Sequence, residues 1–188
     1  MDQPWTERGL VAAAAGGDEA AFRQLVQEHE GAIAATVTAM LGAGDDADDV
    51  GQETFVRFLR ALPNFRGDAA VRTYLTRIAI NLSLDVLARR RRRFGWLRLG
   101  VTAERDEPTV AAISPEEIDR DDRRRQIRLA VAALDPIHRA VVVLRILEER
   151  STRETAELLQ LPEGTVMSRL KRALARLAIA LEPLENDR

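Results

Sequence analysis

The sequence predicts an all-α protein built from two small helical domains, an N-terminal helical bundle and a C-terminal helix-turn-helix domain, joined by a flexible linker. Three observations carry that expectation. The composition leans on Ala, Leu, Arg and Glu, all strong helix formers, while aromatic residues make up only 4% of the chain, too few for a strand-rich sandwich. Apolar residues recur at helical spacing in one segment after another. That recurrence fails from Leu97 to Ile113, where Gly100, Pro108 and scattered charges carry no period. With 188 residues and 46% hydrophobic content, the chain is long enough for one or two small domains with cores of their own. The bounds read as 1–96, a linker at 97–113, and 114–188.

Each element has its own signal. Thr6 to Ala15 forms a short helix closed by Gly16-Gly17. Asp18 is a good N-cap for a longer helix whose inner positions are Phe22, Leu25, Val26, His29, Ile33, Val37 and Met40. Gly42-Ala43-Gly44 ends it. A third helix starts among aspartates, whose charge suits a helix N-terminus, and buries Val50, Thr54, Phe55, Phe58 and Leu62 before Pro63 stops it. Asn64 to Gly67 reads as a loop and Asp68 as the cap of a fourth helix. Val71, Leu75, Ile78, Leu82 and Val86 form that helix's inner stripe, and it runs out through arginines toward Gly95.

Beyond the linker, Ser114 and Glu117 make a capping box with Pro115 at the first helical position. Ile127, Ala130, Val131 and Leu134 are the apolar side of that helix. Asp135-Pro136 repeats the cap-plus-proline signal, and Ile137, Ala140, Val141, Leu144 and Leu147 line the next helix. Ser151 and Glu154 form another capping box. The short helix they open has Ala156 where a second helix can cross closely. Leu161 to Gly164 makes a tight turn. The last helix buries Val166, Leu170, Ala173, Leu174 and Leu177 and shows Thr165, Ser168, Arg169, Lys171, Arg172 and Arg176 on the opposite side. A short helix, a tight turn with glycine and a basic helix is the motif that fills a DNA major groove. Arginine and lysine contact guanine or phosphates, and serine and threonine contact either. The plainer reading is a helical hairpin with a solvated basic face, and this segment alone leaves both open.

Composition excludes several functions. There is no cysteine, so disulfides, zinc–thiolate sites and thiol nucleophiles are out, and a reducing compartment fits. No apolar run approaches the length of a membrane span, and the N-terminus carries an acid where a signal peptide needs positive charge. The chain therefore reads as cytoplasmic, without membrane insertion. The two histidines are His29, on an apolar stripe, and His138. There is no Walker loop, no dinucleotide-type glycine fingerprint and no Ser/His/Asp arrangement, so no catalysis, metal or cofactor is expected. The formal net charge is −2, unusual for a protein that holds DNA alone. Instead the charge is segregated. Asp45, Asp46, Asp48, Asp49 and Glu53 form an acidic block, and Arg89 to Arg93 a basic one. Two kinds of surface follow, one for a basic partner and one for phosphates.

Asp49-Val-Gly-Gln-Glu-Thr-Phe-Val-Arg57, Phe65-Arg-Gly-Asp68 and Arg72-Thr-Tyr-Leu-Thr-Arg-Ile-Ala-Ile-Asn81 together resemble region 2 of bacterial sigma factors. Pro162-Glu-Gly-Thr-Val-Met-Ser-Arg-Leu-Lys-Arg172 resembles region 4 of the same family. A chain with only these two parts is similar to the extracytoplasmic-function group. The resemblance implies a transcription initiation factor that binds RNA polymerase core and directs it to promoters through their −35 and −10 elements. It implies that Asp49, Gln52 and Glu53 dock on the clamp region of the largest polymerase subunit. It implies that Phe65, Arg66, Gly67, Asp68 and Asn81 hold a flipped base of the −10 element, and that Arg72, Arg77, Arg89 and Arg90 contact the backbone nearby. Thr165, Ser168, Arg169, Lys171, Arg172 and Arg176 then serve the −35 element. An anti-sigma factor is the expected regulatory partner. Gly51, Tyr74, Met167, Thr152 and Thr155 depart from the usual pattern, which bears on affinity and base preference.

Magnitudes favour a partner machine. Opening about ten base pairs costs on the order of 14 kcal/mol of stacking, at roughly 1.4 per step. Capturing an unstacked base returns about 1–3 kcal/mol. An aromatic-poor chain cannot melt DNA alone. The alternative is a stand-alone two-domain helix-turn-helix regulator that binds duplex operator tightly without polymerase.

Overall fold

The computed structural model describes residues 6–65, 67, 70–97 and 115–185, with side chains over 6–65, 67, 70–93 and 123–182. The described residues form helices α1 (Glu7–Ala15), α2 (Glu19–Leu41), α3 (Asp45–Ala61), α4 (Val71–Leu97), α5 (Pro115–Ala132), α6 (Pro136–Val142), α7 (Thr152–Leu159) and α8 (Glu163–Glu185), and no strand. A 3-10 turn, Leu62–Asn64, follows α3, and a π turn, Val143–Leu147, continues α6. The expected linker at 97–113, but for Leu97, and Ser114 of the expected capping box lie outside the described residues, while α5 starts at Pro115 as expected.

Local chemistry sets the helix ends. The Thr6 hydroxyl accepts from the Gly9 amide at 3.3 Å, and the Asp18 carboxylate from Ala20 and Ala21 at 2.8 and 3.1 Å. Gly42 and Gly44, at φ +83 and +129, turn the chain sharply from α2 into α3. No side chain caps α3, so Asp45, Asp46 and Asp48 in its first turn supply the negative charge. The Val71 amide at the start of α4 donates to the Glu7 carboxylate at 3.4 Å, so α1 supplies a capping group for α4. The sequence placed that cap on Asp68, which lies outside the described residues. Asp135 stands at the N-cap of α6 but makes no side-chain cap bond, and its carboxylate lies 3.5 Å from Arg91 instead.

The N-terminal core forms around Phe58, which is fully buried. Phe22, Phe65 and Tyr74 surround it at ring-centroid distances of 6.5, 5.8 and 6.0 Å. His29 is buried on the α2 stripe as expected, with Nε2 3.7 Å from Glu7. Helix α4 buries more than the single stripe read from sequence. Thr76, Ala79, Ile80, Ser83 and Leu87 are also buried, because α4 packs on α2 and α3 and also on α6 and α7. The C-terminal half therefore does not keep its core to itself. Ala140, Val143, Leu144 and Leu158 join the N-terminal cluster, while Leu134, Val142 and Ala173 form one small cluster and Val141, Ala156 and Val166 another.

Three residues expected inside are outside. Leu147 is 60% exposed, because the π turn adds a residue to the turn and rotates it out of phase with Leu144. Leu174 is 44% exposed, because the buried seam of α8 runs through Val166, Leu170, Ala173 and Leu177, and Leu174 stands beside it. Ile127 is 43% exposed on α5, which packs on α8 and α2.

Phe58→Ala should destabilise the protein by about 3–5 kcal/mol, as a cavity opens amid the three remaining rings. Urea unfolding measures this, and a loss under about 1 kcal/mol would contradict the placement of the core.

Candidate nucleic-acid interface

Helices α7 and α8 form the helix-turn-helix. The Glu154 amide donates to the Ser151 hydroxyl at 3.1 Å and the Ser151 amide to the Glu154 carboxylate at 2.8 Å, closing the expected capping box. Those hydrogen bonds, with Arg150 nearby, hold the Glu154 carboxyl below its ordinary range. Gln160 ends α7 in the left-handed region at φ +53, and the Leu161 amide returns to the Ala156 carbonyl at 2.9 Å. The Thr165 and Val166 amides donate to the Pro162 carbonyl, which starts α8. Ala156, Val141 and Val166 are buried together, so Ala156 does provide the close crossing.

This packing turns one side of α8 outward. Ser168, Lys171, Arg172 and Arg176 are exposed, and Thr165 and Arg169 are half-buried. Met167 is 52% exposed on that helix, and the Thr152 hydroxyl donates to its sulfur at 3.5 Å. Two departures from the family pattern thus meet each other. Thr155 is buried, so its polarity does not reach the surface. His138, half-buried, keeps both ring nitrogens out of solvent and unpaired. Burial, then the Arg176 guanidinium, hold its pKa below the ordinary value. Arg169 and Arg172 act the same way, and Asp135 opposes them. No sequence signal singled out His138, because its setting depends on α8 folding back over α6.

The acidic side of the molecule is α3. Asp49 and Gln52 are exposed, and Glu53 is half-buried with its carboxylate 2.9 Å from Arg57. Beside them a groove of about 360 Å³ runs between α2 and α3, lined by Ile33, Ala34, Gly51, Gln52 and Phe55 among others. A side chain at Gly51 would meet only open space, so the glycine leaves this groove wide.

On α4, Tyr74, Arg77 and Asn81 share a face at helical spacing. Arg77 lies over the Tyr74 ring at 5.1 Å, and Phe65 meets Tyr74 edge-on at 5.1 Å. Phe65 is therefore part of an aromatic cluster rather than a free plate. Arg77 and Asn81 are exposed, as is Gly67, whose φ of +72 needs glycine. Arg66 and Asp68 lie outside the described residues. A cleft of about 470 Å³ adjoins the loop, lined by Val11, Pro63, Phe65 and Gly67 and by Glu7 and Arg8. The α1 residues were missed from sequence, since nothing in a local pattern reports that α1 folds against this loop. Arg72 is held by Glu148 at 3.1 Å. Arg90 is held by Asp46 at 2.5 Å and the Leu41 carbonyl at 3.2 Å, while Arg89 is exposed. The structure thus brings Phe65 and Arg77 together at Tyr74 and sets Gly67 beside Phe65 in the cleft, with Arg89 and Arg90 about 20 Å beyond Arg77 along the helix.

Among the described residues there is no group of His, Asp and Glu placed to hold a metal, and no helix is long and apolar enough to cross a membrane.

Residues 25–93 match the family model for Sigma-70 region 2, and residues 124–177 that for Sigma-70, region 4. The chain is 35% identical to the RNA polymerase sigma-H factor of Pseudomonas aeruginosa over 185 residues, covering 95% of both. It is 32% identical to the ECF RNA polymerase sigma-E factor of Escherichia coli K12 over 189 aligned positions, covering 98% of both. The solved structure of CnrH in complex with the cytosolic domain of CnrY is similar at a TM-score of 0.66 and 30% identity, over 94% of this chain and 97% of that one. The sigma factor RpoE of Bartonella quintana, solved with the anti-sigma factor NepR, shares the fold at a TM-score of 0.67 and 21% identity, over 86% of this chain and 96% of that one.

Two outcomes follow from this geometry. The folded chain holds His138 below its ordinary pKa of 6.5, so the unfolded chain binds the proton more readily. The contribution is intact above about pH 6.5 and is lost as pH falls through the folded pKa. Melting temperature between about pH 7.5 and 5.5 should therefore drop less for His138→Gln than for wild type, and equal drops would contradict it. Ser151→Ala should cost about 1 kcal/mol of stability, read by urea unfolding, and no change would show the box idle.

Proposed function

Because the chain belongs to the sigma-70 family of RNA polymerase sigma factors and to its extracytoplasmic-function group, we propose that it initiates transcription with α8 on the −35 element, α4 on the opened −10 strand and α3 on the polymerase clamp. The exposed basic face of α8, held by a capped α7, is the observation that carries this reading. Ser168, Lys171 and Arg172 reach base edges and phosphates, with Thr165, Arg169 and Arg176 flanking them. Asn81 and the cleft beside Phe65 and Gly67 take an unstacked base, with Arg66 and Asp68 assigned on the family motif. Arg72, Arg77, Arg89 and Arg90 follow the backbone. Asp49, Gln52 and Glu53 meet a basic polymerase surface, and their charge speeds and orients that encounter. The protein works in the cytoplasm, where the polymerase is, and catalyses nothing itself. Its regulator is an anti-sigma factor that covers the docking surfaces.

An electrophoretic shift on promoter DNA tests the reading directly. Core polymerase plus this chain should give a stable complex, and the chain alone only a weak, salt-sensitive one. Tight binding without polymerase would favour a stand-alone regulator. Glu53→Lys should weaken core binding on the order of tenfold while leaving naked-DNA binding nearly unchanged. Equal effects on both would remove Glu53 from the docking surface. Arg172→Ala should lower −35 occupancy about tenfold in a footprint. An unchanged footprint would remove that contact.

A further inference from the structure

An apolar side chain stands in the basic face of α8. Met167 is 52% exposed, with Ser168 next to it and Lys171 one turn on along the same flank. Single exposed apolar residues are common on protein surfaces, and Leu129 and Ile179 are exposed as well. Met167 differs from those two in its place and in its partner. It lies in the second turn of α8, at the end of a recognition helix that meets base edges. Its sulfur accepts from the Thr152 hydroxyl of α7 at 3.5 Å, across the helix pair. A methionine has three rotatable bonds, and fixing them on contact costs ordering entropy. Thr152 opens α7 directly behind the Ser151 cap, so its hydrogen bond narrows that freedom before DNA arrives.

What this side chain can read follows from its chemistry. A thioether donates no hydrogen bond, and its sulfur, a weak acceptor, is engaged by Thr152. In the major groove, adenine, guanine and cytosine are told apart by hydrogen-bond donors and acceptors, whereas thymine adds a C5 methyl group. The Ser168 hydroxyl donates to the Thr165 carbonyl at 3.0 Å, which leaves it to accept from a base amine beside that methyl. We propose that Met167, held by Thr152, is a specificity-determining residue that packs on the methyl group of one thymine in the −35 element. Thr152 is its positioning residue and does not touch the base. Met167 carries no charge, so its contact adds sequence preference without adding to the salt-dependent hold of Lys171 and Arg172.

This contact rests on the assignment of α8 to the −35 element, and one experiment separates the two. Reconstituted holoenzyme is titrated onto a promoter duplex it protects, with the −35 thymines replaced one at a time by deoxyuridine, which lacks only the methyl group. Wild type should lose about fourfold in affinity at one position, the worth of one buried methyl. Met167→Ala should bind thymine and deoxyuridine there equally, and Met167→Leu should keep the preference. Thr152→Val removes the hydroxyl at constant volume and should cut the preference to about twofold, with circular dichroism unchanged in all three variants. Equal wild-type affinity for thymine and deoxyuridine at every −35 position would overturn the contact while leaving α8 on the element. A Met167→Ala holoenzyme that keeps the wild-type preference would overturn it too. An unchanged preference in Thr152→Val would remove the positioning role. A holoenzyme that protects no −35 segment would overturn the α8 assignment and the contact with it.

Discussion

The structure depends on the burial of α4 on more than one side. One set of its residues packs on α2 and α3 and completes the N-terminal bundle. The same helix meets α6 and α7 from the other half. Its surviving exposed strip carries Arg77 and Asn81, braced by the ring cluster of Phe58, Phe65 and Tyr74. A rigid strip of this kind suits an unstacked base, because a mobile side chain would lose ordering entropy on every encounter. Four of the rings, Phe22, Phe58, Phe65 and Tyr74, are gathered beside the loop that precedes α4.

Charge is the second constraint. A chain of net charge −2 cannot hold DNA by bulk attraction, so its arginines act only where local geometry frees them. The basic run from Arg89 shows the difference between count and availability. Arg90 is tied to Asp46 and the end of α2, and Arg91 lies beside Asp135. On α8, Lys171, Arg172 and Arg176 are exposed instead. Each surface proposed to face DNA is therefore a small basic patch that binds weakly on its own. Polymerase makes the two surfaces act together, because tethering the second contact raises its effective concentration without any new bond.

Much of this was legible in the sequence. Helix caps are local, and Asp18 and the Ser151–Glu154 box stand where spacing put them, while Thr6, read as the first residue of α1, caps it instead. The turn and basic helix of the C-terminal motif are local too. What escaped was set by distant packing. Glu7 supplies a capping group for α4, and α1 walls the cleft near Phe65, across more than half the N-terminal bundle's length. Leu147 changed sides because of a π turn that no residue pattern announces. The second buried face of α4, with Thr76 and Ser83 in it, was not read from the sequence, since its cover lies beyond a segment without period.

The central claim is that two readers on one chain act on one promoter as a rigidly spaced pair once polymerase joins them. Transcription by reconstituted holoenzyme, with start sites mapped by sequencing 5′ ends, tests it most directly when the spacer between the −35 and −10 elements is lengthened. Insertion of about 5 base pairs, half a helical turn, rotates one element to the opposite face of the duplex. The account predicts discrete starts on the native spacing and their loss on the lengthened one. Starts that persist unchanged, or that form equally with core polymerase alone, would contradict it.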